Sequence, residues 1–305
     1  MINRLLIRIK VLQVLYNYYA FTGQMTEQRA LQILEDALDA SYRLYITLCG
    51  LPLALSDAAN DRLAIEEEKY RKQEEKITLL KHIADNPMVA IIRADERFMQ
   101  LYEEQGFSST LLSEYHTGVL SQALESTKEP ESWTNLEAVK QWWRELYKEE
   151  YQMSDAFRER LEEHNIYLND DIGIVFTFAT KAFNAMEEDL EYTKCLRPKY
   201  SNEDNQSFGP ELFSKVIHNS TKLRELLAKY LKDWDADRIS RIDSIILQMA
   251  LAEALYFPQT PTTIIINEYL NQAHVYSSSI SSKYINGILH NLFKDLKADG
   301  KILGD

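Results

Sequence analysis

Glycine and proline are scarce, with 9 and 7 residues in a chain of 305. Both residues punctuate turns and interrupt regular structure. Their scarcity, with few β-branched runs and abundant Leu, Ala, Glu and Lys, predicts an all-α protein in which no strand is needed. Cysteine is scarcer still. Cys49 and Cys195 stand far apart, outside any CxxC pair or histidine spacing. That excludes a disulfide framework, gives no reason to expect a metal, and makes a reducing cytoplasm the simplest compartment. An apolar run of about 18 residues and a basic leader with a cleavage site are both missing, so neither a membrane partner nor a secretory signal is expected. The six histidines include no HExxH pattern. With no glycine-rich phosphate loop and no GxSxG elbow either, the sequence points away from an enzyme and from a cofactor.

The net charge of −13 would be wrong for a nucleic-acid binder if it were spread evenly. It is not: residues 61–205 hold 18 Lys+Arg against 31 Asp+Glu, and the remainder holds 16 of each. This composition shift predicts three segments: residues 1–60 and 206–305 as two parts of one domain, and residues 61–205 as an acidic helical insertion between them.

Apolar spacing predicts helices over residues 3–20 and 26–49, the first with a polar stripe of only Lys10, Gln13 and Asn17. Gly50 and Pro52 punctuate the second, and the charge run Ile65 to Lys81 reads as a solvated helix. In the acidic segment, Thr134 and Glu137 have the spacing of a capping box, Ser154 reads as a helix cap, and residues 171–192 as an amphipathic helix. The run Leu196 to Pro210, rich in Ser, Asn, Gly and Pro, reads as a linker before a helix over residues 211–232.

The most informative stretch runs from Trp234 to Phe293. Its first helix is expected to start near Asp237 and to end before Pro258. Arg241, Ser244 and Gln248 form its narrow polar stripe, so it belongs in the middle of a bundle. Asp243 and Glu253 fall on its apolar side, where a bare charge costs several kcal/mol, and each needs a partner. Ten residues apart, they are about 15 Å apart along the axis, too far to act together on one bond.

Residues 238–257 (RISRIDSIILQMALAEALYF), then Thr260-Pro261, Ile266-Asn267-Glu268 and Lys283-Tyr284-Ile285-Asn286-Gly287-Ile288-Leu289, resemble the C-terminal half of the NusB family of bacterial transcription antitermination factors. Arg4, Arg8, Gln13, Leu15 and Tyr16 are similar to the start of the same family. The resemblance covers about residues 1–50 and 211–296 and none of the acidic segment. It implies a helical bundle of two small subdomains, without catalytic activity. It further implies binding to boxA-type single-stranded RNA of nascent ribosomal transcripts, jointly with a small-subunit ribosomal protein, and through them an indirect link to the RNA polymerase elongation complex. RNA contacts carried over are Arg4, Arg8, Lys283, Tyr284 and Asn286; the protein-partner surface maps to Tyr16 and Asp243. The other reading left open is a helical protein–protein adaptor that has lost RNA binding and recruits partners through its insertion.

These residues also make sense on their own chemistry. Unstacked bases are read by stacking on aromatic rings, and Lys and Arg neutralise phosphates. Arg4 and Arg8, four apart, would share one face at a helix start, where a phosphate could dock. Tyr284 fits either an RNA-facing or a core position. Gly287, inside an expected helix, suggests a close neighbour, a packed helix before an RNA backbone. The sequence departs from the family it resembles at two places: Leu5 and Leu6 stand where further basic residues are common, which thins the basic cluster, and Ile280 stands where an acidic residue is usual.

Overall fold

Side-chain acceptors set many of the helix starts in this chain. Asn3 accepts from the Leu6 N–H at 2.9 Å, Asp95 from Phe98 at 3.0 Å, Asn202 from Asn205 at 2.9 Å and Ser278 from Ser281 at 3.0 Å. Each satisfies an orphan donor of a first turn. The computed structural model describes residues 1–21, 23–71, 73–107, 109–125, 128–231 and 240–303, among which every regular element is a helix. In chain order the α-helices are α1 (Arg4–Ala20), α2 (Glu27–Cys49), α3 (Leu51–Glu68), α4 (Glu74–Ala84), α5 (Pro87–Ala94), α6 (Glu96–Gln105), α7 (Ser109–Glu125), α8 (Leu136–Tyr147), α9 (Asp155–His164), α10 (Ile172–Asn184), α11 (Glu203–His218), α12 (Ser220–Ala228), α13 (Arg241–Tyr256), α14 (Thr262–Tyr276) and α15 (Ser279–Ala298), with short π or 3-10 turns at Lys148–Gln152, Ile166–Asp171 and Tyr192–Cys195. None of them is long and apolar enough to cross a membrane.

The chain folds as two compact units. One comprises residues 39–201 with Met1, the other residues 2–38 and 202–305. α2 runs through the first boundary. The composition shift, by comparison, divides the chain after residues 60 and 205.

In the unit of residues 2–38 and 202–305, α13 is the central helix, packed by α1, α11, α12, α14 and α15. Ile245, Ile246, Met249, Ala250 and Leu251 are buried along it, as the narrowness of its polar stripe requires. Its cap is Ser240, whose hydroxyl accepts from the Asp243 N–H at 3.2 Å; Asp237 and Trp234 lie outside the described residues. α1 matches its expected span. Lys10, assigned to its polar stripe, is instead fully buried.

The expected linker before residue 211 is largely helix. α11 begins at Glu203 and carries Pro210 in its interior. An interior proline costs about 3 kcal/mol. Phe208 and Phe213 are buried on either side of it, each worth roughly 1.5–3 kcal/mol, which offsets that cost. Gly209 explains how α11 lies so close to α1, since a Cβ there would stand 2.9 Å from Ile7 Cγ2. The helix expected over 211–232 is broken instead at Asn219, which ends α11 and precedes α12.

The unit of residues 39–201 is built on an aromatic seam. Trp143 meets Tyr147 at 5.4 Å, Tyr147 meets Phe183 at 5.0 Å, and Tyr151 meets Phe157 at 5.2 Å. Lys140 is buried beneath it, held by Glu137 at 2.6 Å and by the Met186 carbonyl at 3.0 Å. Ser154 caps α9, as expected. Three local expectations change. Asn135, not Thr134, caps α8. α10 stops at Asn184. The charge run is split between α3 and α4 because Glu66 turns inward and collects Arg62 at 3.0 Å and Lys69 at 2.8 Å.

Candidate nucleic-acid interface

The first turn of α15 is serine-capped, and its inward face is set by Ser282, Ile285, Ile288, Leu289 and Leu292. The i, i+3, i+4 spacing of that buried face turns Lys283, Tyr284, Asn286 and Gly287 outward. Tyr284 is 52% exposed, so it is a rim residue and not a core residue. Gly287 overturns the expectation of a close neighbour, for a Cβ built there meets nothing within 4 Å. Lys283, Tyr284 and Asn286 are therefore all exposed around the solvent side of α15, a cation, a ring and an amide near the start of the helix, groups able to bind a phosphate and stack a base.

Arg4 and Arg8, on α1, part company. Arg4 is half-buried, with its guanidinium 4.8 Å from the centre of the Phe208 ring and donating to Thr260 Oγ1 at 2.9 Å. Arg8 corrects the expectation of a shared phosphate-docking face, because its side chain is only 3% exposed. It donates from Nε to Glu253 Oε2 at 2.9 Å and from Nη2 to Glu253 Oε1 at 2.6 Å. This two-pronged pair is the partner that Glu253 needed. Tyr269 completes the cluster, donating its hydroxyl to Glu253 Oε2 at 2.8 Å. Burial, reinforced by the Glu253 charge, pushes the Tyr269 phenol well above its ordinary pKa, so it stays a donor. Glu268 adds a longer contact to Arg8 at 3.5 Å.

The two protein-partner residues also diverge. Tyr16 is 41% exposed, with the Arg241 guanidinium 5.9 Å from its ring centre. Asp243, expected to face a partner, is 1% exposed and accepts from the Ser277 hydroxyl. Its other oxygen has no hydrogen-bond partner among the described residues. It is an inward carboxylate at the junction of α13 and α14. Sequence reasoning missed Phe208 as the platform for Arg4 because the Gly-Pro pair that follows it read as a linker. Arg241 was visible on the polar stripe of α13, but its contact with Tyr16 had no sequence signal.

A helical bundle built on one buried axial helix, with Lys283, Tyr284 and Asn286 exposed on its last helix, defines an all-α protein. A model of the NusB family matches residues 176–294. Among curated proteins, the transcription antitermination protein NusB of Koribacter versatilis is 34% identical over 121 residues, covering 40% of this chain and 75% of that protein. The NusB of Bacillus licheniformis is 26% identical over 109 residues, or 36% and 84% of the two chains. That of Natranaerobius thermophilus is 35% identical over 95 residues, or 31% and 68%. No solved structure matches at a significant level. This chain belongs to the NusB family, a family of transcription antitermination factors and not of enzymes. The family match opens inside α10, within the segment that composition assigned to the insertion, and leaves residues 1–175 outside it.

Proposed function

We propose that this protein is an RNA-binding transcription antitermination factor that acts with a small-subunit ribosomal protein on boxA-type single strands of nascent ribosomal RNA. The observation that carries the reading is the exposed Lys283–Tyr284–Asn286 rim beside an unobstructed Gly287, on a helix that lies inside the family match. Tyr284 supplies the stacking surface, Lys283 the phosphate charge and Asn286 a base-edge donor and acceptor. Arg4 extends the basic character, while Arg8 serves the interior. Tyr16 is the exposed point offered to the protein partner. RNA polymerase is reached through that complex, in the cytoplasm.

The adaptor reading, in which RNA binding has been lost, is favoured by one observation: the pairing of Arg8 with Glu253 removes a cation from the RNA side. Fluorescence anisotropy separates the two. A labelled boxA-like RNA is titrated with the parent, Lys283→Ala and Tyr284→Ala, each with and without the ribosomal protein. Loss of the stacking ring is expected to weaken binding about tenfold or more. Loss of Lys283 is expected to lower the salt slope by about one. If neither the protein nor its complex prefers this RNA over a scrambled strand, the RNA-binding reading is lost and the adaptor stands.

A further inference from the structure

The unit of residues 39–201 contains a cavity of about 490 Å³ that the antitermination reading does not use. Its wall on α3 includes Ala54 and Ala58, four residues apart and therefore on one face, where only methyl groups meet the space. Two rings line it further, and both are fixed. Tyr102 is seated against Gly50, where a Cβ would come within 2.1 Å of the ring. The Phe107 N–H donates to Thr47 Oγ1 at 2.8 Å, and its ring meets His164 at 5.0 Å. The volume lies within the usual range of small-molecule sites, and the apolar body with a few polar groups is their usual composition.

Charge selects the ligand. Asp57 and Asp61 continue the strip of Ala54 and Ala58 on α3. Asp57 is engaged by Arg93 at 2.6 Å, and the lining cation Arg62 is engaged by Glu66 at 3.0 Å. Asp61 is exposed and has no ion-pair partner among the described residues. His116, also in the lining, bonds through Nδ1 to the Tyr151 hydroxyl at 2.9 Å. Burial lowers its pKa to about 4, so at neutral pH it adds no positive charge. Burial likewise raises the Tyr102 phenol to about 12, which keeps it neutral. Among the described lining residues Asp61 is thus the one charged group without an ion-pair partner, while the Phe107 ring already has the Arg43 guanidinium 5.3 Å from its centre and Tyr102 is the aromatic wall left to a ligand.

We propose that this cavity is a binding site for a small organic cation with an aromatic body, its ring against Tyr102 and its ammonium group toward Asp61. A cation near aromatic faces gains from their quadrupole as well as from the carboxylate. The test is calorimetric titration of the full chain with naphthylmethylammonium and, as the uncharged match, naphthalenemethanol. Saturable binding of the cation is expected, with the alcohol several-fold weaker. Asp61→Asn, at an exposed position that does not hold the fold, is expected to weaken the cation about three- to fivefold and leave the alcohol unchanged. Ala58→Phe, with its helical CD signal intact, is expected to abolish both. The proposal is overturned by no saturable binding, by equal affinity for cation and alcohol, or by an Asp61→Asn variant that binds the cation as the parent does. Should Ala58→Phe fail to fold, the Asp61→Asn comparison decides alone.

Discussion

Replacing Arg8 by alanine distinguishes an RNA contact from an internal strut. The pair it breaks is almost wholly buried, with side-chain exposures of 3% for Arg8 and 0% for Glu253. Without Arg8, the Glu253 carboxylate keeps, among the described residues, only the Tyr269 hydroxyl at 2.8 Å. Leaving one partner of a buried pair uncompensated costs about 3–5 kcal/mol, whereas removing an exposed phosphate-binding arginine would cost at most about 0.5 kcal/mol. The gap between these figures is large enough to read in urea, where it corresponds to a midpoint shift on the order of 1 M or more. Of the four tryptophans, Trp133, Trp142 and Trp143 belong to the unit of residues 39–201. Far-UV CD should therefore register the loss while most of the tryptophan signal keeps its parent transition. Glu253→Gln should behave alike. Arg8→Met combined with Glu253→Leu and Tyr269→Phe should recover most of the loss, because well-packed apolar groups replace a buried ion pair at little cost once the Tyr269 hydroxyl, which would lose its acceptor, is removed as well. An Arg8→Ala variant with an unchanged midpoint and a weakened RNA complex would refute the internal role.

Asp243→Lys is expected to destroy the helical CD signal of its unit, since it places a cation where Asp243 is 1% exposed beside Ser277; a folded variant that loses only the ribosomal-protein complex would count against the inward placement. Gly287→Ala and Gly209→Ala should move the urea midpoint in opposite directions. The first gains about 1 kcal/mol on an open helix face; the second loses about 1–3 kcal/mol because its Cβ meets Ile7 Cγ2 at 2.9 Å, and equal signs would contradict the packing described. His116 has a pKa of about 4 when folded against 6.5 when free, so the unfolded chain binds more protons between those values. Its contribution, up to about 3 kcal/mol, is complete above pH 6.5 and is lost as pH falls through 4; His116→Asn should flatten the stability–pH slope in that window, and an unaltered slope would clear His116 of the effect. Joining Leu38 to Asn202 by a short linker should yield a folded, monodisperse helical protein on size exclusion, because Asp39 pairs with Lys199 and Tyr45 with Arg197, so the segment removed starts and ends at neighbouring points. Deleting residues 61–205 instead cuts α3 and should aggregate; the reverse result would favour the boundaries drawn from composition.

The helices were legible wherever burial and local propensity agree. α1, α2 and α13 repeat apolar residues over several turns, and each forms close to its expected span. The sequence misled where tertiary packing overrides local signals. Around Gly209-Pro210, turn residues lie inside α11, because the absent Cβ lets α1 approach and two buried phenylalanines offset the proline. Around Glu66, a charged residue in a charged run is buried, and no periodicity rule anticipates a carboxylate that folds inward to collect cations from two helices.

At the candidate interface, the limit is of another kind. Lys283, Tyr284 and Asn286 all point outward because the inward face of α15 is fixed by Ile285, Ile288 and Leu289, and they fall in the arc that remains. That geometry is recoverable from spacing alone. Arg8 and Asp243 lie on helices whose apolar positions leave almost no solvent face, and for such residues periodicity gives only a need for a partner. Whether the partner lies inside the chain depends on which helix is placed opposite. Glu253 required a cation and found Arg8, 245 positions away; the same physical need that marked Glu253 as unusual therefore argued against Arg8 as an RNA contact. A basic residue carried over from a family pattern is available to a phosphate only if no buried carboxylate in its own bundle has a prior claim on it.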